Sequence, residues 1–405
     1  MQAVIYEEAG GRALYPLALL RPVFELRCGA LLLREKLERR RPSWTVALAP
    51  RPSLDAVVRE SMPGRGVESL GDGTTLLLSA SVIVDETLLS SVDGIEDDCL
   101  LVADGLAVGA VVSSGGEDVA RRLVEAGGNP RALGLAGATE VECRVARRAW
   151  DLVEATRREI ERDIELLGVR GSRGGTVREG ALLVEPGRIA MGEGSDVAPG
   201  VVLDASGGDI LIGRDVRVMS NAYLQGPLCV GDGSLVRAAA RIYAGTSIGP
   251  VCKVGGELSA SVIHSYSNKQ HDGFLGHSYV GSWVNLGAAT DTSDLRNDYG
   301  PVRVSLGDET VDTGLTSVGS MIGDHTKTAI GTKLNTGSIV GAFCNVFPGA
   351  FPPKHIPSFS WGTPGGFVPY DIERALDTAR TVMARRGVAL TGAMEDAVRS
   401  LHSSM

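Results

Sequence analysis

The residues of this 405-residue chain best equipped for chemistry gather between positions 264 and 299: His264, Asn268, Lys269, His271, His277, Tyr279, Asp291, Asp294, Asn297 and Tyr299. An imidazole near its unperturbed pKa of about 6.5 is mostly neutral at pH 7 and can take a proton from an attacking group. His277 and His271 are therefore the candidate general bases, and the amide of Asn268 suits a hydroxyl. Loop histidines without carboxylate or cysteine partners at ligand spacing do not make a metal site, so none is expected here.

These polar residues interrupt a repeat. Ile212, Val218, Leu224, Val230, Val236, Ile242, Ile248 and Val254 stand six apart, often followed by Gly. Six residues of α-helix turn a position through roughly 240°, so no helix keeps them on one face. A short strand and a tight corner do, and three such units close a triangular rung of a parallel β-helix with the aliphatic residues inward. The phase resumes at Val280, Leu286, Ile322, Leu334, Val340 and Val346, with Thr328 filling one slot. Residues 257–279 and 288–320 then read as insertions. Solenoid insertions leave as loops on a common face, which is where a binding site is expected.

The remaining chain supplies the supports. Apolar runs at Val4–Tyr6, Trp44–Leu48, Thr75–Leu78, Leu100–Ala103 and Gly109–Val112 alternate with amphipathic stretches, which predicts an α/β domain over residues 1–150. Residues 141–168 read as a connecting helix ending at Gly168, inside a helix-and-linker region of 151–185. The β-helix is expected over 186–357. Residues 347–366 read as a proline-rich loop without regular structure, and 358–405 as the end of that loop and two helices, near 370–386 and 391–402, which would cap the open β-helix end. A net charge of −9 argues against a nucleic-acid surface. Six scattered cysteines without a CxxC pair fit reduced thiols in a cytoplasm. The start has no signal-peptide shape and no apolar run is long enough to span a membrane.

The order GH-x-YVG, VNLGAAT, N-x-YG within residues 276–300 resembles the acetyltransferase half of the bacterial bifunctional enzymes that acetylate glucosamine 1-phosphate and then uridylylate it. CKVGGE, SNKQHDGFLGHSYVG, GDHTKT and FPPKHIPSFSWG, with LYPLALLRPVFELRCGALLLREK at 14–36, resemble a divergent branch of that family. The resemblance implies a left-handed β-helix, a homotrimer with sites between neighbouring copies, and acetyl-CoA as acyl donor. It implies His277 as base, with Tyr279, Asn297 and Tyr299 lining the sugar site and Ala288 near the thioester. His277 stands two residues before Tyr279 where the family pattern has three, and one hexapeptide is missing between Gly281 and Asn285. On this reading Arg241 and Lys269 hold a sugar phosphate, Asn268 fixes a hydroxyl, and Lys327 and Lys333 meet coenzyme A phosphates.

At the amino terminus, Gly10-Gly11-Arg12 and Arg21-Pro22 approximate the family's nucleotide loop. Gly11, Arg12, Arg21 and Arg27 are the candidate nucleotide ligands, since Arg grips phosphate bidentately. Mg²⁺ would accompany them, with Asp85 the nearest acidic residue. The leading expectation is N-acyl transfer to an amino sugar phosphate or a nucleotide-linked amino sugar. The alternatives are nucleotidyl transfer to a sugar 1-phosphate and a non-catalytic sugar-nucleotide-binding scaffold.

Overall fold

The computed structural model describes residues 1–8 and 14–405. The candidate ligands Gly11 and Arg12 lie outside the described residues. The amino-terminal domain is a six-stranded sheet in the order Thr45–Ala49, Gln2–Tyr6, Thr75–Ser79, Leu106–Val112, Cys99–Ala103, Gly137–Glu140. The first three strands are parallel, and Leu106–Val112 runs antiparallel to both its neighbours. The central strands are buried throughout, as a sheet covered on both faces requires. Helices α1 (Leu33–Arg40), α2 (Asp55–Ser61), α3 (Glu86–Val92) and α4 (Gly116–Glu125) accompany it.

Helix α5 (Ala149–Leu167) ends where Gly168 takes a left-handed turn, at φ 63°. It starts later than expected because Arg144–Val145 pairs with Val82–Ile83 as a strand. Beyond α5 the chain winds into a parallel β-helix with three sheets, the first starting at Thr176–Val177, the second at Leu182–Val184 and the third at Ile189–Met191. The first coil begins at Thr176, inside the segment expected to be linker. Ile212, Val230 and Ile248 stack at 18-residue intervals. Their aliphatic neighbours fill the prism interior down to Ile356.

Residues 257–279 are not an insertion. Ile248 pairs with Ile263 and Ile263 with Val280, so two rungs close in 15 and 17 residues by tightening corners. The phase is lost while the register is kept. The second interruption is a true insertion: Asn285–Leu286 and Asp291–Thr292 continue their sheets, and the chain between Thr292 and Met321 leaves as a loop with a hairpin, Arg303–Leu306 and Glu309–Asp312, so that Val280 stacks directly on Ile322. The prolines of 347–366 likewise fall between strands, since His355–Ile356 and Ser360–Thr363 continue two sheets.

One of the three faces is covered. Val262, Tyr279, Met321 and Ile339 point outward from the third sheet into a core with Leu14, Leu17, Leu26, Trp150 and Val153. Helix α5 thus lies along the prism, fixed to the amino-terminal domain by a fully buried Lys36 ammonium at 2.8 Å from Glu159 and 2.7 Å from Asp163. Burial opposes that charge, but the two carboxylates outweigh it and raise the lysine's pKa. At the corner between the third and first sheets, Tyr266, Trp283, His325, Phe343 and Phe359 occupy successive rungs in the left-handed region and stack ring on ring.

Helices α6 (Ile372–Ala384) and α7 (Gly392–Ser403) form the helical carboxy-terminal end. They lie along that corner column, with His402 edge-on to Phe359 and Ala397 against Leu54 and Val57 of the amino-terminal domain. The last edge of the first sheet is closed by a hairpin strand, Gly366–Pro369. Among the described residues no helix is long and apolar enough to cross a membrane, and all six cysteines are unpaired.

Candidate active site

His277 occupies the corner between the second and third sheets, at φ 42°. Its Nδ1 lies 2.7 Å from Oδ2 of Asp294 on the next turn of chain, with the imidazole 29% and the carboxylate 16% exposed. Both residues are pinned where the insertion leaves and returns. The Val318 N–H donates to the Asp294 carbonyl at 2.8 Å, and the Gly319 N–H donates to the His277 carbonyl at 2.9 Å. Glycine is required at that return, because a Cβ at 319 would lie 1.9 Å from the Gly276 carbonyl. A carboxylate on Nδ1 fixes the tautomer that leaves Nε2 as proton acceptor. Asp294 was visible in the sequence only as one polar loop residue. Its partnership depends on rung closure, which no local spacing reports.

The other histidines differ. His271 is exposed and its ring has no anchor. His264 is buried, with Nε2 2.8 Å from the Glu25 carbonyl, and burial drives its pKa well down. Among the described residues no three His, Cys, Asp or Glu side chains converge as metal ligands.

Several expected ligands are structural. Tyr279 is fully buried, its hydroxyl donating to the Arg27 carbonyl at 3.1 Å and accepting from the Arg27 N–H at 2.9 Å, so it does not line a sugar site. Lys269 sits in an inward slot opposite Val254, and its Nζ donates to the Gly255 and His271 carbonyls. Burial lowers its pKa to about 8, and it does not face a phosphate. Arg241, on the second sheet, pairs with Glu257.

The remainder are dispersed. Asn268 and Lys327 share the outer face of the first sheet, where Asn268 receives Arg386 and Lys327 donates to the His325 carbonyl. Ala288 lies at the corner between the first and second sheets, its carbonyl accepting from Gly331. Lys333 is exposed opposite Asp291. Asn297 lines a cavity beside the dyad, and Tyr299 stands 72% exposed on the same loop. One chain therefore brings together His277, Asp294 and the Asn297 loop, and leaves the first-sheet residues on another face.

In the amino-terminal domain a cavity of about 760 Å³ opens past the carboxyl ends of Gln2–Tyr6 and Thr75–Ser79, the position where open α/β sheets bind ligands. Glu8, Ser79, Ser81, Gly128, Arg131 and Arg147 line it. Arg21 and Arg27 do not enter it. Arg21 pairs with Asp324 of the β-helix at 2.8 Å, and Arg27 is buried with its guanidinium on the Ala30 carbonyl. Glu7 spends its oxygens on the Val23 N–H and on the N–H and guanidinium of Arg51. Asp85 caps α3 and meets Arg162. That leaves Glu8, which accepts from the Ser79 hydroxyl at 3.2 Å, as the one carboxylate on this wall without a cationic partner among the described residues. Arg131 and Arg147 escaped the sequence reading, although the run Gly127-Gly128-Asn129-Pro130 marks the turn that presents Arg131.

Residues 3–170 match the family model described as sugar nucleotidyl transferase. That match covers 168 of the 405 residues. Across the chain, a bifunctional sugar-1-phosphate nucleotidylyltransferase/acetyltransferase of Sulfurisphaera tokodaii is 30% identical over 149 residues, 35% of this chain and 36% of that one. The uncharacterized acetyltransferase YaiX of Escherichia coli O6:K15:H31 is 29% identical over 40% of this chain and 71% of its own length. The bifunctional protein GlmU of Acidithiobacillus ferrooxidans is 33% identical over 26% of this chain and 23% of its own. The match thus spans about a third of the length of the Sulfurisphaera relative and less of GlmU. A solved UDP-N-acetylglucosamine acyltransferase aligns over 57% of this chain at 14% identity with a TM-score of 0.28. The amino-terminal domain is joined through α5 to the parallel β-helix.

Proposed function

We propose that this protein transfers an acetyl group from acetyl-CoA to the amine of an amino sugar phosphate, with His277 as general base and Asp294 as its positioning residue. The observation that carries the reading is the His277–Asp294 pair at the foot of the inserted loop. The amine nitrogen attacks the thioester carbon as Nε2 of His277 removes its proton. The C–S bond of the tetrahedral intermediate then breaks, and the imidazolium returns the proton to the departing thiolate. Neighbouring copies in a homotrimer would bring first-sheet residues such as Asn268 and Lys327 beside the corner that carries the dyad, as the relatives' architecture suggests.

Release of free thiol from acetyl-CoA, measured over a panel of amino sugars and their phosphates, tests this reading. Turnover should fall about 10²- to 10⁴-fold in His277→Ala, the range for a lost general base. Asp294→Asn, whose amide N–H can donate to Nδ1 and so favour the wrong tautomer, should lose a comparable factor in kcat while KM changes little. Failure of every acceptor with folded protein would sink the proposal. A second reading, nucleotidyl transfer to a sugar 1-phosphate, is favoured by the 760 Å³ cavity of the amino-terminal domain and is tested by pyrophosphate release. Ligand binding without either product would instead support a scaffold.

A further inference from the structure

The inserted loop is a strap between the two halves of the molecule. Its ends are held at the dyad, where the Val318 N–H donates to the Asp294 carbonyl and the Gly319 N–H to the His277 carbonyl. Its middle is the hairpin, whose ladder is extended by the Val302 N–H donating to the Leu315 carbonyl at 2.8 Å. Two strands are marginal on their own, so the hairpin keeps its place through what lies under it. Val302 and Val304 are buried, and with Leu306, Val311 and Leu315 they pack into the core on the outer face of the third sheet.

That core is shared with the 760 Å³ cavity of the amino-terminal domain. Leu14, Val23 and Ala146 wall the cavity and belong to the same hydrophobic cluster as the strap. A polar tie runs beside it: Arg147 lines the cavity, and Arg148 reaches Glu309 of the hairpin at 3.4 Å. The backbone N–H groups of both arginines donate to the Asp151 carboxylate, at 2.8 and 2.9 Å, which fixes them together to the first turn of α5. Protein interiors are packed as densely as organic crystals, so a wall that moves displaces its neighbours.

We propose that the amino-terminal cavity is an effector site: a ligand bound there holds the strap down and so tightens binding of the acyl acceptor beside His277. The lining sets the class of ligand. Arg131 and Arg147 offer two cations to an anion, and the hydroxyls of Ser79 and Ser81 with the Glu8 carboxylate suit a polyol, so the ligand is a phosphate ester of a sugar or a nucleoside. The two states are a strap docked on the core and a strap lifted from it, and the ligand favours the first. The effect falls on acceptor binding and not on proton transfer, because the strap carries Asn297 and Tyr299 while His277 stays on its coil and Asp294 is pinned at the strap's root. The acceptor clause rests on the proposed acyl transfer, whereas the docking of the strap does not.

Hydrogen exchange of the full chain, read over residues 295–317 with and without UTP, glucose 1-phosphate or UDP-N-acetylglucosamine, tests the docking, and isothermal titration identifies which of the three binds. The ligand that binds should slow exchange in the hairpin about fivefold or more, the low end of coupling between sites, and should lower the acceptor KM for thiol release by a similar factor with kcat unchanged. Arg131→Gln should weaken ligand binding and remove both effects together. Glu309→Gln combined with Val311→Ala should still bind the ligand and lose both responses, with circular dichroism confirming the fold. Failure of all three ligands to bind overturns the effector site, and so does binding that leaves hairpin exchange unchanged. Slowed exchange with an acceptor KM that does not fall overturns the link to the acceptor and leaves the acyltransferase standing. Slowed exchange without thiol release from any acceptor upholds the docking and removes the proposed reaction.

Discussion

Replacing Lys36 by Met should loosen the joint between the amino-terminal domain and the β-helix more than any surface change. The ammonium is fully buried between Glu159 and Asp163, at 2.8 and 2.7 Å. Removing one partner of a buried ion pair costs about 3–5 kcal/mol, because the orphaned charge stays behind. Glu159 retains Arg162 at 3.0 Å, and Asp163 retains the N–H groups of Ala30 and Leu31 at 2.9 and 3.1 Å. The loss should therefore fall at the lower end, about 3 kcal/mol. Urea unfolding of wild type and variant measures it. Burial raises the pKa of Asp163. Without the ammonium that pKa rises further, so on acidification the folded variant gains a proton that the unfolded chain still lacks. The variant's deficit should shrink by up to about 1.4 kcal/mol per pH unit through that pKa. Asp163→Asn added to Lys36→Met should recover part of the loss. A single variant within 1 kcal/mol of wild type at pH 8, or a deficit that grows on acidification, would refute the reasoning.

Tyr279→Phe should cost about 1–3 kcal/mol in thermal unfolding, by stranding the Arg27 backbone groups, while leaving KM for the amino sugar unchanged. A rise in KM would return Tyr279 to the binding site. Gly249→Ala should expose the limits of corner packing, since its Cβ would fall 1.5 Å from the His264 carbonyl. Expression as soluble, wild-type-stable protein would contradict the close approach of those rungs. Lys269 carries a folded pKa of about 8 against 10.5 unfolded, so the unfolded state binds more protons between those values and stability rises with pH. The gain should be roughly 3 kcal/mol between pH 8 and 10.5, and Lys269→Met should lack it, as denaturant titration at several pH values will show.

The rungs were legible because an inward slot tolerates little besides an aliphatic side chain, and 18-residue coils repeat that demand at fixed spacing. Legibility failed where corners shortened. Between Ile248 and Ile263 three residues are missing from a rung, yet every strand still finds its partner. Polar residues such as Lys269 then looked like loop residues when one of them fills the interior. The outward apolar residues Val262, Tyr279, Met321 and Ile339 carried a signal for a covered face, but the insertion separates them by irregular intervals in sequence. His277 could be singled out by residue type and by resemblance. Asp294 meets it only because successive coils are neighbours in space. Arg21 and Arg27 were read as phosphate ligands from residue type alone, and that type serves equally well to fasten one domain to another.

The direct stacking of Val280 on Ile322 makes the inserted loop separable from its support. The coil closes beneath it, and the loop's two ends are already joined by the bond between Val318 and Asp294 and the bridge between Leu295 and Ser317. Between those ends the chain can change while every rung keeps its strand partners, provided Val302 and Val304 keep their places in the core on the third sheet's outer face. His277 and Asp294 belong to the foundation, and Arg296, Asn297 and Arg303 to the exchangeable part. A chain of this design can keep its proton chemistry while acquiring a different acceptor, one loop replacement at a time.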